Sequence, residues 1–483
     1  MEPLNEIKYN FVQDSHLDIE NENEKTNEVS SLKKGEIEDT AKDNDNEDKK
    51  KVTLIERLKI IKKNVTVEPI MACYVMPSVL SSLAVQNLNL EKACRVNLNY
   101  SSEICDALEL RQTANYSMYE NEVQTLIATI QGWKNVVQTA IPVMLILFVG
   151  AWSDKVGKRK ACILMPIVGE FMTCIGFMLN TYFFYELPVE VAALTESNIS
   201  SYNWRLVHVL RYPIGSALSG VILRWVGYYG VFAISGSLYF FSLMYGIFYL
   251  EDSKKKVEVK TTTFRVAFRK GPGNRRLRVS LLLIVVCVVF GPLHGEFMIL
   301  YLFTRYRFNW NEVQYSVWST FSIITNLVGT ALSMAIFSKH MKLDDTLLAI
   351  ISSSSKIVSA FAYAFARNNL EIYIAPILEM LNGTSFIAMR SIATKLVSGE
   401  EFGKVNSLFG LAEAMMPLVY GPMYSQVYTA TLQVLPGAVF LLGAALTAPA
   451  IAIFVWLYYE NKKDIIRNKE IKSNSLLRID EKD

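Results

Sequence analysis

Long apolar blocks, rather than a helical or strand periodicity, dominate the hydrophobic pattern of this 483-residue chain. An α-helix needs about 20 apolar residues in a row to cross the hydrocarbon layer of a bilayer. In the second part of the chain this pattern predicts six spanning helices, over residues 280–303, 312–337, 346–366, 371–395, 404–428 and 434–458. We therefore expect an all-α membrane protein.

Local charge predicts the orientation of these helices. Residues 1–50 are acidic and poor in hydrophobic side chains, which is typical of a disordered tail. The basic residues Lys59, Lys62 and Lys63 precede the first span, and the basic segment 251–279 precedes the last six. Because basic loops stay in the cytoplasm, we expect both tails there, at 1–50 and 459–483, with bundles over 51–250 and 280–458 joined by the cytoplasmic linker 251–279.

The first part of the chain poses a topological problem. Its spans begin near Ile70 and continue at about 123–152 and 161–182, followed by a close pair at 207–226 and 228–250 that must start on the cytoplasmic side. Residues 183–206 must therefore cross the membrane as a fourth helix. They contain Glu186, Pro188, Glu190, Glu196 and Arg205, and such polar groups are costly in contact with lipid. The pattern predicts an incomplete fourth helix and about 11 helices in all.

The polar segment after the first span carries two cysteines and two glycosylation sequons. Cys94 and Cys105 lie close in sequence, near the Asn-x-Ser motifs at Asn99 and Asn115. The topology places this segment outside the cytoplasm, where disulfides persist and glycans are added. We expect a local disulfide and glycosylation at these positions.

The loop between the second and third spans carries the most specific motif, Gly150-Ala-Trp-Ser-Asp154-Lys155-Val-Gly157-Lys158-Arg159-Lys160. Gly150 allows close helix packing, Gly157 makes a tight turn, and Asp154 can accept hydrogen bonds from helix N-termini and basic partners. This pattern matches the signature of the major facilitator superfamily. The resemblance implies that Gly150, Asp154, Gly157, Lys158 and Arg159 act as a conformational latch in a carrier with two six-helix bundles.

Further stretches resemble a narrower family within the superfamily. They are Val67-Glu68-Pro69, Glu122-Val-Gln124, Arg390-Ser-Ile-Ala-Thr-Lys395, Glu401-Phe-Gly-Lys404-Val and Pro436-Gly437. They look like the proton-coupled folate transporters, solute carrier family 46, over about residues 67–458. The resemblance implies a carrier that moves folates or other organic anions with protons, at the plasma membrane or in lysosomes. The chain departs from the family at the fourth helix, where Glu196 runs almost directly into Leu210.

Ionisable residues inside the spans are expensive and therefore indicate function. Arg390 matches an arginine that the family uses near its substrate and proton site, and its planar side chain suits an anion. The alternative is a structural ion pair with Glu379 or Glu413, and Glu413 is itself a candidate for the solute and proton pathway. Because Glu379 precedes Arg390 by eleven residues, about 16 Å of helical rise separates them and direct contact is not expected.

His294 and Glu296 are the candidate residues for proton coupling in the seventh span. They lie beside Gly291, Pro292 and Gly295, where an irregular backbone often lines a transporter cavity. The alternative is a satisfied polar group near the outer end. Lys134 in the second span and Glu170 in the third are weaker candidates for the solute and proton pathway, and each could simply pair with a neighbour.

The sequence lacks a nucleotide-binding Gly-rich loop, a Cys/His metal spacing and a Gly-x-Ser-x-Gly elbow, which disfavours an ATP-driven pump or a membrane hydrolase. We expect no enzyme activity, no catalytic residues, no metal and no cofactor. The expected partners are a small organic solute, protons and the lipid bilayer, with no nucleic acid. Two alternatives stay open: a lysosomal exporter of peptidoglycan fragments or other metabolites, and a non-transporting membrane isoform or sensor.

Overall fold

The computed structural model describes residues 68–156, 159–196, 211–250, 274–397 and 399–480, and these contain no β-strand. They form helices that we number in chain order. The helices are α1 (Glu68–Lys92), α2 (Ser102–Glu109), α3 (Ser117–Val156), α4 (Arg159–Tyr182), α5 (Val189–Glu196), α6 (Arg211–Tyr249), α7 (Arg275–Phe308), α8 (Glu312–Ser333), α9 (Asp345–Phe365), α10 (Asn369–Leu378), α11 (Gly383–Leu396), α12 (Gly399–Thr431) and α13 (Ala438–Asp480). The all-α membrane fold predicted from the apolar blocks is confirmed.

Membrane-spanning character is strongest in the second half of the chain, as the apolar blocks indicate. By length and composition, seven helical stretches among the described residues can cross a bilayer. The largest differences from the predicted boundaries concern two of the last spans. The predicted span 371–395 is divided into α10 and α11, and α13 continues without interruption to Asp480, so most of the predicted tail 459–483 is a continuation of the last helix.

The predicted close pair of helices in the first half is present as two arms of α6. Gly227 separates the arms, and its φ of 64° lies in the left-handed region that glycine adopts readily. The helical axis therefore turns back at this residue, with Arg211–Val226 on one side and Tyr228–Tyr249 on the other. The residues 207–210 of the predicted first arm lie outside the described residues.

The predicted fourth helix is represented by α5 (Val189–Glu196), which has eight residues and a length of roughly 12 Å. This helix alone is too short to cross a hydrocarbon layer of about 30 Å. The turn before it is held by Lys92, whose ammonium group donates to the carbonyl oxygens of Phe184 (3.1 Å) and Leu187 (2.8 Å). Residues 197–206, which complete the predicted crossing, lie outside the described residues.

Cys94 and Cys105 form the predicted disulfide, with their Cα atoms 5.9 Å apart. The bond ties α2 to the π-helical turn Ala93–Asn97 that ends α1. We call this side of the helical bundle the disulfide end. Asn99 and Asn115 are exposed there, so the predicted glycosylation sites are accessible, and glycosylation itself stays a prediction.

The helices pack as two groups, and two helix pairs form the main contacts between the groups. In the first group α6 packs against α1 and α4, and in the second α9 packs against α13 and α7 against α12. Between the groups, α3 packs against α12 and the first arm of α6 packs against α8. In the second contact, the hydroxyl group of Ser216 donates to Ser319 at 3.1 Å, and the amide of Gly220 donates to Ser316 at 3.3 Å.

Candidate functional site

Three charged side chains from three different elements meet inside the second helical group. The ammonium group of Lys356 (α9) lies 2.5 Å from Oε2 of Glu296 (α7) and 2.9 Å from Oε1 of Glu379, which follows α10. The side chains of these residues are only 5%, 7% and 12% exposed, respectively. We call Glu296, Lys356 and Glu379 the buried acid–lysine cluster.

The break between α10 and α11 places Glu379 in this cluster. Glu379 is the C-terminal cap of α10, where its amide still donates to the carbonyl of Ala375 at 3.0 Å. The helix stops there, and the side-chain amide of Asn382 donates to Glu379 Oε1 at 3.1 Å. One carboxylate oxygen of Glu379 therefore accepts from both Lys356 and Asn382.

Two polar atoms at the cluster have no hydrogen-bond partner among the described residues: Oε1 of Glu296 and the hydroxyl oxygen of Tyr424. Both lie against Gly443 of α13, since a Cβ atom at position 443 would overlap Glu296 Oε1 and come within 3.0 Å of the Tyr424 hydroxyl. A buried carboxylate oxygen without a donor is costly, and a proton on that oxygen would turn it into a hydrogen-bond donor. The cluster therefore has a place for a proton.

The chain stays helical beside His294 and Glu296, because α7 runs from Arg275 to Phe308 with Pro292 inside it. Gly291 and Gly295 serve packing instead: a Cβ atom at either position would overlap the ring of Tyr420 or Tyr424 in α12. His294 is half-buried, whereas Glu296 is buried. Residues two positions apart on an α-helix point about 200° away from each other, which accounts for this difference in burial.

Arg390 of α11 pairs with Glu413 of α12, as the structural alternative in the sequence analysis proposed. The shortest distance joins Arg390 Nη2 and Glu413 Oε1 at 3.3 Å. The arginine side chain is 39% exposed and the glutamate side chain only 8%. The expected lack of contact with Glu379 also holds, since that residue pairs with Lys356. Arg390 thus keeps guanidinium donors that bind no other described residue.

The remaining intramembrane candidates lie elsewhere. Lys134 of α3 forms an ion pair with Glu196 at the end of α5, with Nζ and Oε2 2.9 Å apart. Glu170 of α4 is half-buried and interacts electrostatically with Tyr74 and Tyr239, inside the first helical group. The structure therefore does not bring Glu170 together with Arg390 or Glu296 in one site.

The conformational latch stays a prediction. Gly150 and Asp154 lie in the last turns of α3 and Arg159 begins α4, but their side chains are not described. Gly157 and Lys158 lie outside the described residues.

Sequence reasoning missed Lys356 and gave Glu379 only a possible role as the partner of Arg390. A signal for Lys356 was present, because it is a lysine within the apolar block 346–366, directly after four serines. An intramembrane charge without a visible partner should have been counted with the others. Among the described residues, no group of His, Cys, Asp and Glu side chains could hold a metal ion.

At the disulfide end, the two helical groups are joined by a network of charges. Oε1 of Glu120 (α3) lies 3.2 Å from Arg305 Nε (α7) and 3.2 Å from Arg111 Nη1, which follows α2. Burial and the nearby Arg305 lower the pKa of Arg111 to about 10, so it still carries its positive charge at neutral pH. A cavity of about 440 Å³ lies beside this network.

Comparison with known proteins finds similarity to membrane transporters. Residues 204–422 match the sequence family described as Major Facilitator Superfamily. A "Probable peptidoglycan muropeptide transporter SLC46" of Drosophila melanogaster is 22% identical over 83% of this chain and 86% of its own. A "Lysosomal proton-coupled steroid conjugate and bile acid symporter SLC46A3" of Gallus gallus is 22% identical over 82% of this chain and 94% of its own.

Two solved structures resemble the fold. The human organic anion transporter MFSD10 has a TM-score of 0.54 at 12% identity, over 80% of this chain and 98% of its own. A bacterial homologue of the iron transporter ferroportin, in an inward-facing state, has a TM-score of 0.52 at 12% identity, over 79% and 98%. At this level of identity, the likeness concerns the arrangement of the helices.

Proposed function

Because this chain belongs to the major facilitator superfamily and, within it, to solute carrier family 46, it is a multi-pass membrane transporter, and we propose that it moves amphipathic organic anions together with protons. Proteins of this fold bind their solute between two helical bundles that rock about the site. Side chains of this chain support both the coupling to protons and the anionic character of the solute.

The buried acid–lysine cluster carries the proposal for the proton. When both acids are ionised, two negative charges share the single positive charge of Lys356, at 2.5 and 2.9 Å. One unit of negative charge is then uncompensated in an environment that penalises it. A single proton on Glu296 Oε1, the oxygen that has no donor, would make the cluster neutral. The cluster can therefore take up and release one proton per cycle.

Arg390 supports an anionic solute. Its half-exposed guanidinium binds only Glu413 among the described residues, through one nitrogen. A guanidinium presents five donors in a planar fork, which suits a carboxylate or sulfate group. The names of the Gallus gallus and Drosophila melanogaster relatives include bile acids, steroid conjugates and muropeptides, and folate-like anions are the other class expected from the family resemblance.

Two further observations support a carrier that works by alternating access. Hydrogen bonds at the disulfide end join the two helical groups, for example from Tyr301 to Asn87 and from Tyr428 to Gln124. We therefore infer a state closed at the disulfide end. Basic residues cluster at the other end, and by the positive-inside rule this supports a topology with both tails in the cytoplasm and the disulfide end outside or in the lysosomal lumen.

The test uses the full chain in liposomes that contain a pH-sensitive dye, with acidic medium outside. The probes are a bile acid, a muramyl dipeptide and folate, added one at a time with a radiolabel. We expect at least one probe to enter and to acidify the lumen as it does so. Glu296→Gln should abolish the acidification, whereas Glu103→Gln, an exposed residue of α2, should preserve it.

The outcomes separate the alternatives. Entry of the muramyl dipeptide alone would identify a carrier of peptidoglycan fragments, the second candidate, which the Drosophila melanogaster relative favours. Entry of an anion without acidification would contradict proton coupling. If no probe enters although the protein is folded and correctly inserted, the transport proposal is wrong and a non-transporting membrane protein is the better description.

A further inference from the structure

One oxygen of Glu120 collects three donors, while the other has none. Oε1 accepts from Gln124 Nε2 at 2.9 Å, from Arg111 Nη1 at 3.2 Å and from Arg305 Nε at 3.2 Å. Oε2 is buried and has no partner among the described residues. The glutamate side chain is only 3% exposed. Glu120 is thus a buried anion held between two cations.

The two cations come from opposite sides of the junction between the helical groups. Arg305 lies in the last turn of α7, in the second group, whereas Arg111 and Glu120 belong to the first. Arg305 Nη2 also donates to the carbonyl of Leu108 at 3.1 Å, and Arg111 Nη2 donates to the carbonyl of Arg305 at 2.6 Å. Each arginine therefore binds across the junction through its guanidinium group.

The segment that supplies Leu108 and Arg111 is short and fixed in place. It follows Cys105, which the disulfide ties to the end of α1. Beyond Arg111, the hydroxyl group of Thr113 donates to Asn309 Oδ1 at 3.2 Å, and Asn309 Nδ2 donates to the carbonyl of Arg111 at 2.6 Å. Segment 108–113 therefore lies across the end of α7 and covers the junction from outside.

We propose that Glu120 and Arg305 are the gate residues of the disulfide end, and that segment 108–113 is the lid that they hold closed. This inference rests on the proposed alternating access, because only a carrier that opens at this end must break these contacts. The pair Glu120–Arg305 is the buried ion pair that joins the two helical groups in this part of the described structure, so its loss weakens the closed state directly.

Two variants, Glu120→Gln and Arg305→Gln, should both weaken the closed state, for different reasons. Glu120→Gln leaves Arg111 and Arg305 close together without an anion, and their repulsion favours separation of the groups. Arg305→Gln removes the ion pair with Glu120 and the hydrogen bond to Leu108, both across the junction, while Arg111 still neutralises Glu120 within the first group. Arg307→Gln is the matched control. Arg307 lies on the same helix end, but its Nε donates to the carbonyl of Ala366, within the second group, at 3.3 Å.

The experiment measures access to the cavity and needs no solute. Leu223, a buried residue of α6, lines the cavity beside Glu120 and is replaced by cysteine. A membrane-impermeant maleimide is added from the disulfide-end side of the full-length protein in liposomes, and labelling of Cys at this position is followed by peptide mass spectrometry. We expect labelling on the order of tenfold faster in Glu120→Gln and in Arg305→Gln than in the parent or in Arg307→Gln.

The gate proposal is overturned if both gate variants label at the rate of Arg307→Gln. Arg305→Lys provides a second variant that keeps the charge but loses the contacts to Leu108, and we expect an intermediate rate. Since labelling requires neither solute nor proton, the two proposals can fail separately. Unchanged labelling with normal anion uptake would refute the gate alone, and faster labelling in a protein that takes up no anion would refute the transport proposal alone.

Discussion

Gly443 and Glu296 lie in direct contact, because α13 passes so close to α7 that a side chain at position 443 would overlap the carboxylate of Glu296. The hydroxyl group of Tyr424 occupies the remaining side of this position. The proton site that we propose is therefore a closed space whose volume is fixed by the absence of a side chain at 443. Its function depends on packing as well as on charge.

The first prediction concerns this packing. Gly443→Ala should push the Glu296 carboxylate away from Lys356 and destabilise the protein by about 1–3 kcal/mol, as overpacked cores generally are. Solute-driven acidification of liposomes should fall together with the melting temperature in detergent. The control is Gly410→Ala in α12, where nothing lies within 4 Å of an added Cβ atom. Equal melting temperatures for the two variants would contradict the proposed contact.

The second prediction concerns the charge of Lys356. Lys356→Met leaves Glu296 and Glu379 facing each other inside the helical group without a cation. Removing one partner of a buried pair generally costs about 3–5 kcal/mol. We expect a large drop in melting temperature, and a partial recovery when Glu296→Gln is added, because one uncompensated charge is then removed. A double variant no more stable than Lys356→Met would show that the acids do not share this lysine.

The sequence predicts a helix correctly where the signal lies within that helix itself, as an apolar block or a glycine. The apolar blocks predict most spanning helices, and the break at residue 227 between two blocks coincides with Gly227 and its positive φ. Boundaries were missed where continuation depends on neighbours: α13 extends past residue 458, where Arg278 binds Glu460 at 3.3 Å and Asp464 at 2.6 Å. Composition alone gave no sign of these pairs.

The site was harder to predict than the fold, for a physical reason. Arg390 and Glu296 stand out in a sequence because charges in apolar blocks are expensive, but their partners are on other helices. The partner of Glu296 is Lys356, sixty residues away, and only helix packing brings the two together. The same holds for Glu120 and Arg305, whose separation along the chain is 185 residues.

The third prediction concerns the disulfide. The Cys94–Cys105 bond closes a loop with a sequence separation of 11, and a bond of this kind contributes roughly 2–3 kcal/mol to stability. The double variant Cys94→Ser with Cys105→Ser should melt earlier and should label faster at Leu223→Cys, because the lid over the cavity is anchored less firmly. Cys287→Ser, which removes a half-buried free thiol of α7, is the control. Unchanged labelling would mean that the lid does not need its anchor.

The last prediction concerns the Arg390–Glu413 pair, whose two residues should have opposite effects on the KM for the anion. If Arg390 binds the anionic group of the solute, Arg390→Ala should raise KM by about tenfold or more, since a hydrogen bond to a charged group is worth roughly 1.5–3 kcal/mol. Arg390→Lys should give an intermediate KM, because lysine keeps the charge but lacks the planar fork.

Glu413→Gln should act in the opposite direction. It removes a carboxylate that competes for the same guanidinium, 3.3 Å away, so KM for the anion should fall. Lys395→Gln is the control, since Lys395 is an exposed residue of α11 that pairs with Asp345 at 2.8 Å. If Glu413→Gln instead raises KM as much as Arg390→Ala does, the pair is structural and the anion binds elsewhere. A lower KM would show that the solute and Glu413 exchange places on Arg390 during the transport cycle.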